Sequence, residues 1–496
     1  MTTGRTILVL ADQLGRHVGP LSRLDPDVDA VLLIESERKI AQRPWHRQRL
    51  HALLSGLRHL AAELEADGVE VLHLRRPDLA TGIAEAAVRW PERPIVAMAP
   101  STPAGRRHLV DLGVVLEADE RFLTDPQEFE ERFGGERRTT METFYRWQRT
   151  RGGWLMESGR PAGGTWNLDA ENRTGLPRGG SIGPDPMRHA LDAIDVAVLA
   201  DLPPDLPGAP PAGLWPVTPA QALAQLDHAI DAVLPCFGPH EDAMSSTDFS
   251  LAHTLLAAPL NMGLLHPREV ADRIDATWRA GGIPLSSAEG LLRQIIGWRE
   301  FVWCQYWAHP GWAGDNALGA ARPLPPAFTT GSTDMACLSA SLGSVEEHAW
   351  THHIPRLVVM GALCLMAGVD PQALVGWMRE RFVDAADWVM QPNVVGMALY
   401  ADGGVMATKP YAAGGAYISK MSDHCRGCRY DPKRRTGEDA CPYTTLYWDF
   451  LDRNQDALRG NHRMARQLAA ARQRPDLVEI RARAAEVLVA LDEGRL

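Results

Sequence analysis

The sequence predicts an α/β, doubly wound N-terminal domain followed by an all-α C-terminal domain. Three observations predict it. Short apolar runs alternate with one amphipathic stripe up to Leu116; a Gly- and Pro-rich stretch follows; and from Pro219 onward apolar residues recur at helical spacing.

The strand candidates are Ile7–Leu10, Val31–Ile34, Val69–Leu74, Ile95–Met98 and Val114–Leu116. Between the second and third, Leu50, Leu53, Leu54, Leu57, Leu60, Ala61 and Leu64 form a 3.6-residue stripe, so a helix crosses over and a parallel sheet follows. No G-x-G-x-x-G follows the first strand, which argues against a standard dinucleotide site. Asp12 and Glu35 fall just past the ends of the first two strands, the edge that forms the ligand crevice in such sheets. As capping or surface residues they need no ligand.

The expected domains are residues 1–130, a connection over 131–218, and a helical domain over 219–496. Gly159–Pro219 is rich in Gly and Pro, as a long surface connection would be. Within it, the string Gly163 to Arg173 (GGTWNLDAENR) is too specific for a spacer. Helical spacing runs through 220–233, 250–264, 267–281, 287–307, 335–349, 354–367, 371–384 and 446–458. With 45% hydrophobic and 23% charged residues, the composition is ordinary for a globular chain. No apolar run is long enough to span a bilayer. The chain opens directly on a strand, so a cytoplasmic, membrane-free monomer is the expectation. A net charge of −11 argues against broad nonspecific nucleic-acid binding but not against local basic surfaces. Two are candidates: Arg426, Arg429, Lys433, Arg434 and Arg435; and Arg137, Arg138, Arg146, Arg149 and Arg151.

Cys425, Cys428 and Cys441 form C-x2-C-x12-C, with Cys337 far upstream and Pro442 directly after Cys441. Clustered thiols in a large chain without a secretory signal more often hold metal than form disulfides. Four thiolates suit zinc or an iron–sulfur cluster. The single knuckle and the Cys-Pro dipeptide lean toward the cluster. On sequence grounds Cys236, Cys304 or Cys364 could replace Cys337 as the fourth ligand, although apolar helical text makes each a core residue.

Three further strings suggest a cofactor site. One runs from His253 and Thr254 to Arg268, where a hydroxyl and free amides at a helix start can bind phosphate. The second, Gln294 to Phe301, sets Trp298 beside Arg299. The third places His352, His353 and Arg356 ahead of Asp387 and Asn393. Paired histidines can shuttle protons near neutral pH. Taken singly, the first two read as an ordinary capped helix and a core tryptophan with an ion pair, and the histidines read equally well as a structural pair.

Together these strings resemble the photolyase/cryptochrome family, and more narrowly its iron–sulfur bacterial branch of (6-4) photolyases and bacterial cryptochromes. The resemblance runs through Leu10–Leu14, Met141–Arg146, Gly163–Arg173, Gly297–Glu300, Ala401–Gly404, Thr408–Tyr411, Met421–Asp423 and the four cysteines. It implies an α/β antenna domain, an interdomain connection and an all-α FAD-binding domain. It further implies a [4Fe–4S] cluster on Cys337, Cys425, Cys428 and Cys441, within 421–445 for the last three. By the same resemblance, Phe237, Thr254, Leu255 and Leu256 sit at the FAD phosphate and ribityl region, and Trp298 and Arg299 line the cavity between flavin and lesion. Arg356 pairs with Asp387 beside the ring, and Asn393 faces its central nitrogen edge. The implied reaction is blue-light repair of (6-4) photoproducts in UV-damaged DNA, with His353 as proton donor, Tyr411 as cavity partner and His352 structural. A cryptochrome-like photoreceptor with little repair is the alternative reading. A nucleic-acid-binding protein is a third, since the cluster domain of this branch resembles that of primase large subunits.

The chain departs from the branch in two places. Trp377 and Trp388 are available for photoreduction, but Met378 and Ala386 stand where tyrosines are common, Thr329 where tryptophan can occur, and Met397 at the flavin-proximal tryptophan of other photolyases. Trp377 is the expected first electron donor. Asp12 and Glu35 fit a ribityl-lumazine antenna (6,7-dimethyl-8-ribityllumazine), whereas Lys39 replaces an expected acid.

Overall fold

The computed structural model describes residues 4–134, 139–177 and 182–496. Five parallel strands, β1 (Thr6–Val9), β2 (Ala30–Ser36), β3 (Glu70–Arg76), β4 (Ile95–Met98) and β5 (Val115–Glu117), lie in the order β3-β2-β1-β4-β5. The chain therefore starts at the centre and winds outward both ways. Alternation sorts the side chains. Leu8, Leu32, Ile34 and Ala97 face one side, against Ile83 and Ala86 of α2 (Leu79–Arg89) and Leu109 of α3 (Pro103–Asp111). Ile7, Val9, Val31, Leu33 and Val96 face the other, against Leu57, Leu60 and Leu64 of α1 (Arg47–Ala66). Covered on both faces, the sheet has the near-continuous apolar strands of a parallel α/β domain.

The main core continues from α1 into the helical region without a break. At the junction the Leu14 N–H donates to the Met262 carbonyl (2.9 Å). A Cβ on Gly15 would lie 2.1 Å from the Gly263 carbonyl oxygen, so the two backbones approach as only glycine permits. After the sheet come α4 (Pro126–Phe133) and α5 (Met141–Gly152). The connection holds a helix the sequence reading left as loop, α6 (Ala193–Asp201), docked on α1. Its Pro-rich flanks obscured a capping box in which Asp192 and Asp195 each accept the other's backbone N–H.

The longer C-terminal helices are α7 (Pro219–His228), α8 (Pro267–Arg279), α9 (Leu285–Leu292), α10 (Glu300–Ala308), α11 (Ala336–His348), α12 (Pro371–Arg381), α13 (Gly415–Met421), α14 (Pro442–Arg453) and α15 (Leu477–Asp492). The 250–264 segment is helical only over Ala257–Asn261. Among the described residues four π-helical turns, Ala229–Val233, Arg293–Arg299, Pro355–Gly361 and Gln391–Ala398, interrupt the α-helical text. Such turns gather at functional sites because they re-aim side chains. Trp298, Arg299, Arg356 and Asn393 all lie on them.

Candidate active site and thiolate centre

Four cysteines converge on one cavity. Cys337 comes from the start of α11, Cys425 from a single turn at His424–Arg426, Cys428 from just beyond it, and Cys441 from the residue that precedes α14. Met335, Ile418, Tyr430 and Tyr443 complete the lining. Cys304 and Cys364 are fully buried in the core, the Cys236 thiol donates to the Val233 carbonyl, and none of the three lines this cavity. All seven cysteines are free. No three of the four sulfurs lie within 4.8 Å of one another. A zinc tetrahedron with bonds of about 2.3 Å would hold its sulfurs roughly 3.8 Å apart. The spacing is too wide for that and suits a larger centre.

Gly415 belongs to this wall. A Cβ there would lie 2.9 Å from the Cys441 sulfur and 2.9 Å from the Thr444 hydroxyl. Gly415→Ala should therefore lower the iron content of the purified protein while Gly376→Ala, where nothing lies within 4 Å, leaves it unchanged.

The basic surfaces shrink on inspection. Arg429, Arg434 and Arg435 pair with Asp334, Asp439 and Asp476. Arg149 is wholly buried and donates to the carbonyls of Trp154, Leu155 and Trp166. Arg146 and Arg151 pair with Glu142 and Glu128, and Arg137 and Arg138 lie outside the described residues.

The second site is built around histidines. His253, ahead of the short helix Ala257–Asn261, stacks on His352 at 4.2 Å. One nitrogen each of His253, His352 and His353 lies within 4.8 Å of the others. The three differ in environment. Burial lowers the His253 pKa to about 3 and pushes that of His352 well below its ordinary value. Burial also acts to lower that of His353, but the Asp242 carboxylate, 3.5 Å from Nε2, and Glu241 override it and raise the pKa. His353 is also the one that opens to solvent, with 46% of its side chain exposed. It is thus the proton holder of the cluster.

The sequence reading missed Glu241, Asp242 and Tyr417. Glu241 is buried, and that burial raises its pKa to about 7. It accepts from the Gln294 amide at 2.6 Å and the Asn172 amide at 3.4 Å. Tyr417 of α13 is hydrogen-bonded to Asp242. Tyr411 and Tyr417, both part-exposed, stand near Asp169 and Arg173. The Gly163–Arg173 string is therefore part of the site: Asn172 reaches Glu241, and the Leu168 N–H donates to Glu289 (3.0 Å). Asn172 Oδ1 and His352 Nδ1 are buried with no hydrogen-bond partner in the structure.

Several residues expected at the flavin lie near this pocket. Phe237 packs edge-on to His253 at 6.2 Å, and Leu255 and Leu256 are buried. Leu255 has a φ of 56°, a left-handed conformation costly for a branched side chain and characteristic of functional backbone. The Asn393 amide donates to Val389 within its own helix (2.9 Å).

Two expectations are corrected. Arg356 pairs with Asp384, not Asp387. Its two terminal nitrogens donate to the Asp384 carboxylate at 3.1 and 3.0 Å, its Nε donates to Thr351 (2.7 Å), and it lies over the Phe382 ring. Asp387 instead pairs with Arg379 at 2.5 Å. Residues 383–386 form a turn between helices, so three residues of offset change the direction of the carboxylate completely. Asp384→Asn removes the carboxylate partner of a part-buried arginine and should cost about 2–3 kcal/mol, whereas Asp387→Asn should cost about 1 kcal/mol or less; urea melts of the two variants decide.

The second correction concerns Trp298 and Arg299. Arg299 points into the domain junction. It donates to Glu300 (3.0 Å) and the Arg121 carbonyl (3.4 Å), and its guanidinium lies 4.4 Å from the Phe122 ring centre. Glu300 in turn accepts the Leu123 and Thr124 N–H groups at 2.7 and 3.1 Å. Trp298 packs edge-on to Phe301 at 6.4 Å. Arg299 thus fastens the domains, and Trp298 packs on a core cluster.

Trp377 is buried, donates to the Phe328 carbonyl (2.8 Å) and packs on Phe328 and Phe382. At the sheet crevice Glu35 is enclosed. Arg58 donates to it at 2.7 and 3.0 Å, and His73 lies at 3.0 Å. Burial alone would raise the Glu35 pKa, but these partners bring it down to about 2. Asp12 pairs with Arg121 at 3.1 Å.

A doubly wound sheet joined to a helical body, with a four-thiol centre and a histidine–carboxylate pocket, defines a multi-site α/β-plus-α protein. Residues 7–209 match the family described as deoxyribodipyrimidine photo-lyase-related protein. A (6-4) photolyase of Agrobacterium fabrum is 38% identical over 508 residues, covering 98% of this chain and 99% of that one. The crystal structure of a bacterial class III photolyase from Agrobacterium tumefaciens superposes with a TM-score of 0.59 at 16% identity, covering 99% and 98% of the two chains, and so shares the fold. An uncharacterized protein of Acanthamoeba polyphaga mimivirus is 36% identical over 92 residues, 18% of this chain. The chain belongs to the photolyase family.

Proposed function

We propose that this chain is a light-dependent (6-4) photolyase that carries FAD and a [4Fe–4S] cluster. The observation that carries the reading is His353, the solvent-facing member of the histidine cluster, whose Nε2 lies 3.5 Å from the Asp242 carboxylate that raises its pKa.

The pocket fits a flavin and a damaged base. Its buried Asn172 Oδ1 and His352 Nδ1 lack partners, and the strained, buried Thr254–Leu256 segment beside Phe237 suits a phosphate and ribityl chain. Arg356, oriented by Asp384, and Asn393 would hold the ring. Bound reduced FAD supplies the electron for repair when excited by blue light. The chain's own residues do the rest. A (6-4) lesion leaves the duplex and enters the pocket, at lower cost than an intact base because it stacks poorly. Repair must return a group from one base to the other, which requires a proton. His353 would deliver it from the ring nitrogen that does not face Asp242, while the Asp242 carboxylate beside Nε2 favours the charged imidazole. Tyr411 and Tyr417 flank the opening.

The four thiols fit a [4Fe–4S] cluster by number, spacing and their shared cavity. Their role is to tie the 421–445 region to α11. A ribityl-lumazine antenna fits poorly: Glu35 is already saturated by Arg58 and His73. No antenna is assigned.

The reading is tested by illuminating FAD-loaded, reduced protein with an oligonucleotide containing one (6-4) lesion. Restored thymines in light and none in the dark support it. Intact lesion after illumination of fully loaded protein rejects it and favours the photoreceptor alternative.

A further inference from the structure

Far from both sites, the start of α6 meets α1 in a cluster that the repair reaction does not use. His59 Nε2 lies 3.0 Å from Asp192 Oδ2. One ligand atom each of His59, Asp192 and Asp195 lies within 4.8 Å of the others. His59 is only 8% exposed and Asp195 only 1%, while Asp192 borders solvent.

The hydrogen-bond inventory leaves this contact incomplete. The Ser55 hydroxyl donates to Asp195 Oδ1 in a short bond, so it has no proton left for His59. His59 Nδ1 lies 2.8 Å from the Ser55 carbonyl and must donate to it. In the neutral imidazole, Nε2 is then a bare lone pair aimed at a carboxylate oxygen. Two acceptors at that distance repel unless a positive centre sits with them. The remaining oxygens are occupied: Asp192 Oδ1 accepts the Ile194 and Asp195 N–H groups, and Asp195 Oδ2 accepts the Asp192 N–H. Each carboxylate therefore has one oxygen serving the helix cap and one turned to the cluster. His51 Nε2 lies 3.3 Å from the Asp195 carbonyl and 3.6 Å from Asp195 Oδ1, the oxygen that also accepts the Ser55 hydroxyl.

We propose that His59, Asp192 and Asp195 form a zinc site that clamps the connection helix α6 onto α1. One histidine and two carboxylates, with a fourth position open to water on the exposed Asp192 side, make a tetrahedral set for a borderline-soft divalent ion. With bonds of about 2.0–2.2 Å, adjacent ligand atoms of such a set lie roughly 3.3–3.6 Å apart, so His59 and Asp192 need to part by a few tenths of an ångström to admit the ion. The surroundings match what zinc-binding histidines require: Nδ1–H is fixed by a backbone carbonyl, and one carboxylate accepts a hydroxyl. The far end of α6 is already fastened, since Asp201 pairs with Arg58 at 2.7 Å. The ion would secure the near end.

The test uses cluster-loaded full-length protein, with iron measured in parallel so that zinc on vacated cysteines is recognised. Equilibrium dialysis against zinc, with crystals examined at the zinc absorption edge, should show one zinc fewer in Asp192→Asn than in the parent. An anomalous peak should stand between His59 and Asp192. Equal zinc content and no peak there overturn the proposal. Melting curves add a second reading. Asparagine keeps the cap oxygen, and its amide can donate to the bare Nε2. The variant should therefore melt no lower than the parent without zinc, and zinc should raise only the parent. If the variant melts lower in metal-free buffer and zinc shifts neither, the contact is an imidazolium–carboxylate pair and the proposal fails.

Discussion

His353→Ala lowers the yield of repaired (6-4) lesion per absorbed photon by about 10²–10⁴-fold, the range lost when a positioned acid is removed. Flavin content and affinity for damaged DNA stay near those of the parent. The reason is local. Burial keeps His253 and His352 neutral, so neither replaces His353 as donor. The pH dependence follows with a definite sign. The pKa of His353 is raised, so the acid form dominates below it and is lost as pH rises through it. Repair therefore falls on the alkaline side. Asp242→Asn removes the carboxylate that raises this pKa and should shift the falling limb to lower pH. A rate–pH series on the two proteins checks this. A limb that does not move would assign the proton to another group.

Cys441→Ser produces protein without iron and with little soluble yield. The expected effect is large because a structural metal centre contributes folding free energy outright. A thiolate site binding zinc is worth about 10–16 kcal/mol at neutral pH, against roughly 5–15 kcal/mol for the net stability of a domain. Without the centre, Cys337 and Cys441 are buried thiols around a cavity, and the segment between His424 and Ala440 loses its thiolate tie to Cys337 while keeping the ion pairs of Arg429 with Asp334 and Arg435 with Asp476. Cys304→Ala is the control. It removes an equally buried thiol that does not face the cavity, so it should keep its iron. Iron assay and thermal melts on both variants make the comparison.

The sheet was readable because its signal is local. Ile95–Met98 is the predicted strand residue for residue, and the other four differ from prediction by no more than two residues at either end. Three closely spaced thiols marked the cavity that Cys425, Cys428 and Cys441 line; spacing alone left the fourth cysteine open, the resemblance named Cys337, and Cys337 lines the same cavity. What spacing could not give was direction. The π-turns carrying Trp298, Arg299, Arg356 and Asn393 shift a side chain around the helix axis without any mark in residue periodicity. Asp384 and Asp387 are chemically identical in the sequence and diverge only because the turn between helices aims one at Arg356 and the other at Arg379. Arg149 read as surface charge, although three backbone carbonyls hold it in the core. Glu241, Asp242 and Tyr417 come from segments far apart in the chain, and no local pattern joins them to His353. The capping box at Asp192 was a missed element with a visible local signature, as were the Thr102-Pro103 and Asp125-Pro126 helix starts.

The most direct test of the account pairs two substrates. FAD-loaded, cluster-intact protein in its reduced form is illuminated with blue light, once with a (6-4) oligonucleotide and once with a cyclobutane-dimer oligonucleotide, each beside a dark control, and the products are separated. The account predicts restored thymines from the (6-4) substrate alone, in light alone, and almost none from His353→Ala. Repair of the cyclobutane dimer at a similar yield, or undiminished repair by His353→Ala, would contradict the central role of the His353 proton.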